Sequence, residues 1–199
     1  MPPDDGPSEK ISAILLAAGL SRRMGGIDKL LLGYEGETFL SRAVSLMDGL
    51  PVFEKILVTT SARLERARVP SGVSVLVNPR PEDGQSGSMR VGLEAATGDH
   101  YLFLMADQPL LEAEDLAPIL AAAHRGLIVF PVVYGKPCTP ALFSSVFRGE
   151  LLSCSGDSGG RSVREGHPES CRAVEVANPR RFLDVDSTGT YDALRLGRK

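Results

Sequence analysis

The 199-residue sequence contains no tryptophan, only three cysteines and three histidines, and 6% aromatic residues. Cys138, Cys154 and Cys171 stand far apart in no metal-ligand spacing, and their odd number argues against a disulfide framework. His100, His124 and His167 form neither a ligand cluster nor a catalytic pattern. An excess of positive charge is also missing. Lys and Arg number 22 against 25 Asp and Glu, a net charge of -3, whereas proteins that grip nucleic acid usually carry a basic surface. No apolar run approaches the ~20 residues that a transmembrane helix needs. The opening MPPDDGPSEK is acidic and Pro-rich, without the basic and apolar regions of a secretory signal, so residues 1–10 read as a disordered tail ahead of one domain at 11–199. Together these absences predict a cytoplasmic protein with reduced thiols and neither nucleic acid nor a membrane as partner.

What the chain does have is concentrated between Ile11 and Leu32. The apolar run Ile11 to Ala18 predicts a strand buried on both faces. Beyond it Gly19, Gly25 and Gly26 let the backbone turn and approach a ligand, while Arg22, Arg23 and Lys29 add positive charge to the same loop. Such a loop suits a polyphosphate. It is neither a Walker loop nor a dinucleotide fingerprint, because Gly19 and Gly25 are separated by more than either pattern allows, with two arginines between them.

Further strands are expected at Lys55–Thr60, Val73–Val77, Tyr101–Met105, Leu127–Val133 and Arg172–Ala177, with a short extended piece at Leu30–Leu32. Helices are expected after Thr38, which can cap Phe39, Leu40, Ala43, Val44 and Met47, and over Ser61–Ala67, Ser86–Ala96 and Glu112–His124. A Gly- and Pro-rich loop should join Asn78 to Gly87, and Gly33 to Gly36 should be a turn. Alternating strands and helices predict an α/β fold: a single-domain, Rossmann-like, doubly wound, mostly parallel sheet with helices on both faces. In the common 3-2-1-4 strand order the first and fourth strands adjoin, so the Gly-rich loop would face Asp107, a carboxylate placed directly after the apolar strand Tyr101–Met105. Later, Leu183, Val185 and Asp184, Asp186 alternate as on an extended strand, both acids on one face.

Written L-A-A-G-x-S-x-R-M-G followed by Lys, the run Leu16 to Lys29 resembles the signature of the MobA-like nucleotidyltransferases, enzymes that move a nucleoside monophosphate from a triphosphate onto a phosphorylated acceptor. Ala18, where others have a second Gly, and Gln108 within Asp107-Gln108-Pro109 resemble the branch that uses CTP, whose type is the molybdenum cofactor cytidylyltransferase. Gly26-Ile27-Asp28-Lys29 is worded more like the guanylyl branch. The stretch Gly84 to Met89 resembles G-x-x-S-S-L at Gly84 and Ser88, Gly156 to Arg161 resembles G-D-x-G-a-R, and Phe182 to Thr188 resembles D-I-D-T-P-E-D. Around Cys138 and Thr139 the family pattern is not kept.

The resemblance implies a Mg²⁺-dependent transfer of CMP from CTP to the terminal phosphate of molybdopterin. It implies catalytic roles for Arg23, Lys29 and Asp107, metal binding by Asp107 and Asp186, and nucleotide contacts from Leu16, Ala17, Ala18, Gly19, Ser21, Arg23, Gly25, Lys29, Asn78, Gly84 and Ser88. Lys136, Asp157 and Arg161 fall on the acceptor side. The implied partners are a nucleoside triphosphate, a phosphorylated pterin-type acceptor and a molybdenum hydroxylase apoenzyme. The alternatives are a guanylyltransferase, transfer to another phosphorylated acceptor, and a non-catalytic nucleotide-binding accessory protein for such a hydroxylase.

Overall fold

The structure is a computed structural model that describes residues 9–197. Residues 1–8 of the predicted tail, and 198–199, lie outside the described residues. In chain order the elements are β1 (Ile11–Ala17), β2 (Gly33–Tyr34), β3 (Glu37–Thr38), α1 (Phe39–Asp48), β4 (Glu54–Thr59), α2 (Ser61–Leu64), β5 (Ser74–Val77), α3 (Gly84–Ala95) and β6 (His100–Met105). They continue with α4 (Ala113–Ala121), β7 (Ile128–Val133), β8 (Lys136–Pro137), β9 (Ala141–Ser144), α5 (Arg148–Ser153), α6 (Arg161–Gly166), β10 (Cys171–Glu175) and α7 (Thr188–Arg195).

Every residue of β1 is buried, and its period-2 alternation feeds two separate cores. Ile11, Ala13, Leu15 and Ala17 join one cluster with Leu40, Val44 and Met47 of α1 and Leu116 and Ile119 of α4. Ile14 and Leu16 join the other, with Met89 and Leu93 of α3, Leu151 of α5 and Val163 of α6. An apolar run is therefore required here, because both faces of the strand are covered by helices. Gly92 lets α3 approach most closely: a Cβ there would lie 2.5 Å from Ile14 Cγ2 and 3.2 Å from Val58 Cγ2.

The main sheet has eight strands in the order β10-β7-β9-β6-β1-β4-β5, with β8 added beside β7. Its β5-β4-β1-β6 portion is parallel and is the expected 3-2-1-4 arrangement. The strand β9 was not anticipated. It runs antiparallel between β6 and β7, so the sheet is mixed on that side, and its whole length is buried.

Three local expectations are corrected. Leu30–Leu32 is not an extended piece: Lys29–Leu31 forms a 3₁₀ turn, because the Asp28 side chain accepts a hydrogen bond from Leu30 N at 3.1 Å and caps it. The segment Leu183 to Asp186 belongs to no strand either. It is tied down by Val185 N donating to Asp107 O at 3.0 Å, while Val185 is buried with Phe39 and Leu194. α3 also begins at Gly84, two residues ahead of the expected start. The two-residue strands β2 and β3 flank the expected turn at Glu35-Gly36.

Candidate active site

The carboxyl ends of β1 and β6 lie side by side, with Leu16 paired to Met105, and a cleft of about 740 Å³ opens above them. One wall is the loop after β1, and the other carries Asp107, Asp184 and Asp186. Lys29 joins the two walls: its Nζ donates to Asp107 Oδ2 at 2.5 Å and to Asp186 Oδ1 at 2.7 Å. Arg23, itself largely exposed, reaches the second oxygen of Asp186 at 3.1 Å.

The electrostatics follow from that grouping. Burial alone would lower the pKa of Lys29, but Asp107 and then Asp186 overcome it and hold the ammonium above its ordinary value. Burial would raise Asp186, yet Lys29 and Arg23 hold it below the usual carboxylate range. Asp184 is exposed at the cleft edge, yet partial loss of water there and then the negative charges of Asp107 and Asp186 push it up to about 7. Asp107 Oδ1 is buried without a hydrogen-bond partner. Among the described residues no three His, Cys, Asp or Glu side chains are grouped so as to hold a metal by themselves. Asp107, Asp184 and Asp186 nonetheless line one wall of the cleft, and Mg²⁺ is commonly held by one or two carboxylates plus substrate phosphates and water.

The loop itself is built by unusual backbone. Ser21, Gly25 and Gly26 all have positive φ (49°, 61° and 90°), wrapping Arg22–Met24 into a 3₁₀ turn that buries Met24 and leaves Arg22 and Arg23 exposed. Ser21 Oγ accepts from Lys29 N at 3.3 Å, closing the loop on itself. Behind it stands Arg63 from α2, only 4% exposed. Its Nε and Nη2 grip both oxygens of Asp28 at 2.7 and 2.8 Å, and Nη1 and Nη2 donate to the carbonyls of Ala17 and Gly19 at 2.7 Å each.

Across the cleft, Gly84 opens α3 with φ of 79°, and a Cβ there would meet Asp157 Oδ1 at 2.5 Å. Asp157 accepts from Gln85 N at 3.2 Å, which docks the Gly156–Ser158 turn on the start of α3. Ser88 is buried at the cleft wall and accepts a hydrogen bond from the Asn78 side chain at 3.1 Å. Arg161 and Arg164, from α6, also line the cleft, the latter with its guanidinium 5.0 Å from the Phe130 ring centre.

Of the residues singled out in the sequence, Leu16, Gly19, Ser21, Arg23, Lys29, Gly84, Ser88, Asp107, Asp157, Arg161 and Asp186 line this cleft. Ala17 and Ala18 are buried behind the loop, Gly25 is exposed at its tip, and Asn78 stands behind Ser88. Lys136 is exposed on β8 and does not line the cleft. Sequence reasoning gave no role to Arg63 or Arg164. For Arg63 the one available signal was Asp28, an acid inside a basic loop and hence in want of a cation.

A model of the family described as "MobA-like NTP transferase domain" matches residues 13–172. Purine catabolism protein PucB of Bacillus subtilis (strain 168) is 29% identical, the match covering 94% of this chain and 97% of that protein. The molybdenum cofactor cytidylyltransferase of Escherichia coli (strain K12) is 28% identical over 91% of this chain and 93% of the relative. A molybdenum cofactor guanylyltransferase from Acidiphilium cryptum (strain JF-5) is 32% identical over 98% of both chains. Among solved structures, a nucleotidyl transferase from Methanothermobacter superposes with a TM-score of 0.82 at 24% identity, covering 94% of this chain and 97% of that one. A Mycobacterium tuberculosis protein solved as a complex with manganese superposes with a TM-score of 0.76, also at 24% identity, covering 94% and 98%.

Proposed function

The chain belongs to the MobA-like NTP transferase family, and from that premise we propose that it transfers CMP from CTP to the terminal phosphate of a molybdopterin-type cofactor, releasing pyrophosphate. The observation that carries this reading is the meeting of Lys29, Asp107 and Asp186 at the end of a Gly-rich, cationic loop. In this reading Arg23 and the loop amides hold the β- and γ-phosphates, and Lys29 offsets charge growing on the α-phosphoryl oxygens. Gly84 and Ser88 face the base and ribose, with Asn78 supporting Ser88.

Asp107 and Asp186, with Asp184 beside them, are the residues that would hold Mg²⁺. The fit rests on the all-oxygen donor set and on the buried, unpartnered Oδ1 of Asp107. Bound there, a divalent ion supplies neutralisation of phosphoryl charge. The acceptor phosphate monoester has a second pKa of about 6, so it is largely dianionic at neutral pH and attacks without a general base. Its oxygen forms the new bond to the α-phosphorus, and the bond from that phosphorus to the bridging oxygen breaks, its electron pair leaving with pyrophosphate. Arg161, on the acceptor side of the cleft, orients the incoming phosphate, and Asp157 holds the turn before it against α3. The cytidylated cofactor then passes to a molybdenum hydroxylase apoenzyme.

The choice of CTP is supported by Leu16-Ala17-Ala18-Gly19 and Gln108, and by a cytidylyltransferase relative matched over nearly its whole length. A guanylyl reading is favoured by Gly26-Ile27-Asp28-Lys29 and by the guanylyltransferase relative. Thermal shift separates them: CTP with Mg²⁺ should stabilise the protein more than GTP with Mg²⁺, and equal or absent stabilisation by CTP would reject the cytidylyl choice. Pyrophosphate release with purified molybdopterin then separates enzyme from accessory protein, the latter giving none at saturating CTP and Mg²⁺.

A further inference from the structure

Arg63 touches both ends of the phosphate loop at once. At the entry it holds the carbonyls of Ala17 and Gly19, and at the exit it grips Asp28 in a two-pronged ion pair. Asp28 in turn caps the 3₁₀ turn that presents Lys29. The side chain is almost completely buried, so these bonds are made with little competition from water. A trans peptide directs C=O and N–H to opposite sides. Fixing the Ala17 and Gly19 carbonyls on the guanidinium therefore aims the Ala18 and Leu20 amides away from it. The positive charge of Arg63 is matched by Asp28, so the loop cations that line the cleft are Arg22, Arg23 and Lys29, the last two shared with Asp186 and Asp107.

We propose that Arg63 is a positioning residue for the triphosphate: a staple across the loop that sets the direction of its amides and the position of Lys29, without itself touching the nucleotide. The inference rests on the reading of this loop as the phosphate site. A lysine could retain the charge, but it lacks the planar fork that engages both oxygens of Asp28 and the two carbonyls together.

The test uses the full-length protein and R63K, R63M and D28N variants, with three measurements: amide hydrogen exchange without nucleotide, the Kd for CTP with Mg²⁺, and Tm. The staple predicts that amides of residues 18–29 exchange at least about tenfold faster in each variant while the β1, β4 and β6 amides keep their protection. It predicts that Kd rises at least about tenfold, with R63K rescuing only part of the loss. R63M and D28N should be non-additive when combined, since each removes the same ion pair. A Kd within about twofold of wild type in R63K or D28N would overturn the proposal, as would a raised Kd with unchanged loop exchange, which would point to charge alone. Should R63M fail to fold, R63K and D28N decide by the same criteria. If the wild-type protein binds neither CTP nor GTP, the functional reading fails instead, and the exchange data alone decide whether the staple exists.

Discussion

Lys29 Nζ lies 2.5 Å from Asp107 Oδ2 although 78 residues separate them in the sequence. The contact is a product of topology. β1 and β6 are parallel neighbours in register at Leu16 and Met105, so the loop that follows one strand and the carboxylate that follows the other emerge at the same edge of the sheet. Asp186 is brought to the same ammonium from a third place in the chain, because Val185 N is bonded to the Asp107 carbonyl.

Replacing Asp107 by Ala should lower the rate of nucleotidyl transfer by at least about 10²-fold, the scale of losing a main electrostatic contact to the reacting group. The fold should survive, because Asp186 still pairs with Lys29. Steady-state pyrophosphate release and a circular dichroism melt check the two halves of that statement; a near-normal rate would remove Asp107 from the reaction centre.

Lys29→Met should be worse than Lys29→Arg in both stability and turnover. It leaves Asp107 and Asp186 facing one another with no cation between them, a loss of about 2 kcal/mol, below the ~3–5 of a fully buried pair because the cleft is open to water. Denaturant unfolding of the two variants measures the difference, and CTP binding to the folded fraction separates the stability effect from the functional one.

Glu54 provides a pH dependence remote from the cleft. Its carboxylate accepts hydrogen bonds from Ser12 Oγ at 2.6 Å, Thr97 N at 2.5 Å and Gly98 N at 3.1 Å. Burial would raise its pKa, but the bond from Ser12 and then those from Thr97 and Gly98 hold it below the ordinary carboxylate value. An acid with a lowered folded-state pKa contributes stability above its unfolded value that is lost as pH falls through the folded one. Wild-type Tm should therefore drop more steeply below about pH 4.5 than that of Glu54→Gln. At pH 7 the variant should be less stable by about 1 kcal/mol, much of the effect being screened by solvent.

Gly92→Val should destabilise the fold by about 1–3 kcal/mol by forcing α3 off the sheet. The new side chain would enter the space already filled by Ile14 and Val58, both stiff β-branched residues at the centre of one core. Urea midpoints compare the two proteins, and a neutral result would mean that α3 can shift freely.

The sequence made β1 and the 3-2-1-4 strand order legible because a doubly covered strand must be apolar throughout and because strands alternated with helical periods. Asp107 was legible for the same reason, as an acid closing an apolar run. β9 was not: its four residues are too short to show a period, and their pairing with β6 and β7 is a long-range choice. The Leu183–Asp186 segment alternates like a strand, yet what holds it extended is a single backbone bond to Asp107 and the burial of Val185, neither of which is local. Arg63 left only the hint of Asp28, because its other partners are two carbonyls more than thirty residues away, and carbonyls have no sequence signature.

The most direct measurement is a crystal structure of the protein soaked with CTP and Mg²⁺. The account predicts the triphosphate along residues 19–29, with the α-phosphate beside Lys29 and the metal between that phosphate and Asp107 and Asp186. A nucleotide bound elsewhere, or one in this cleft whose phosphates point away from Lys29 and Asp107, would contradict it.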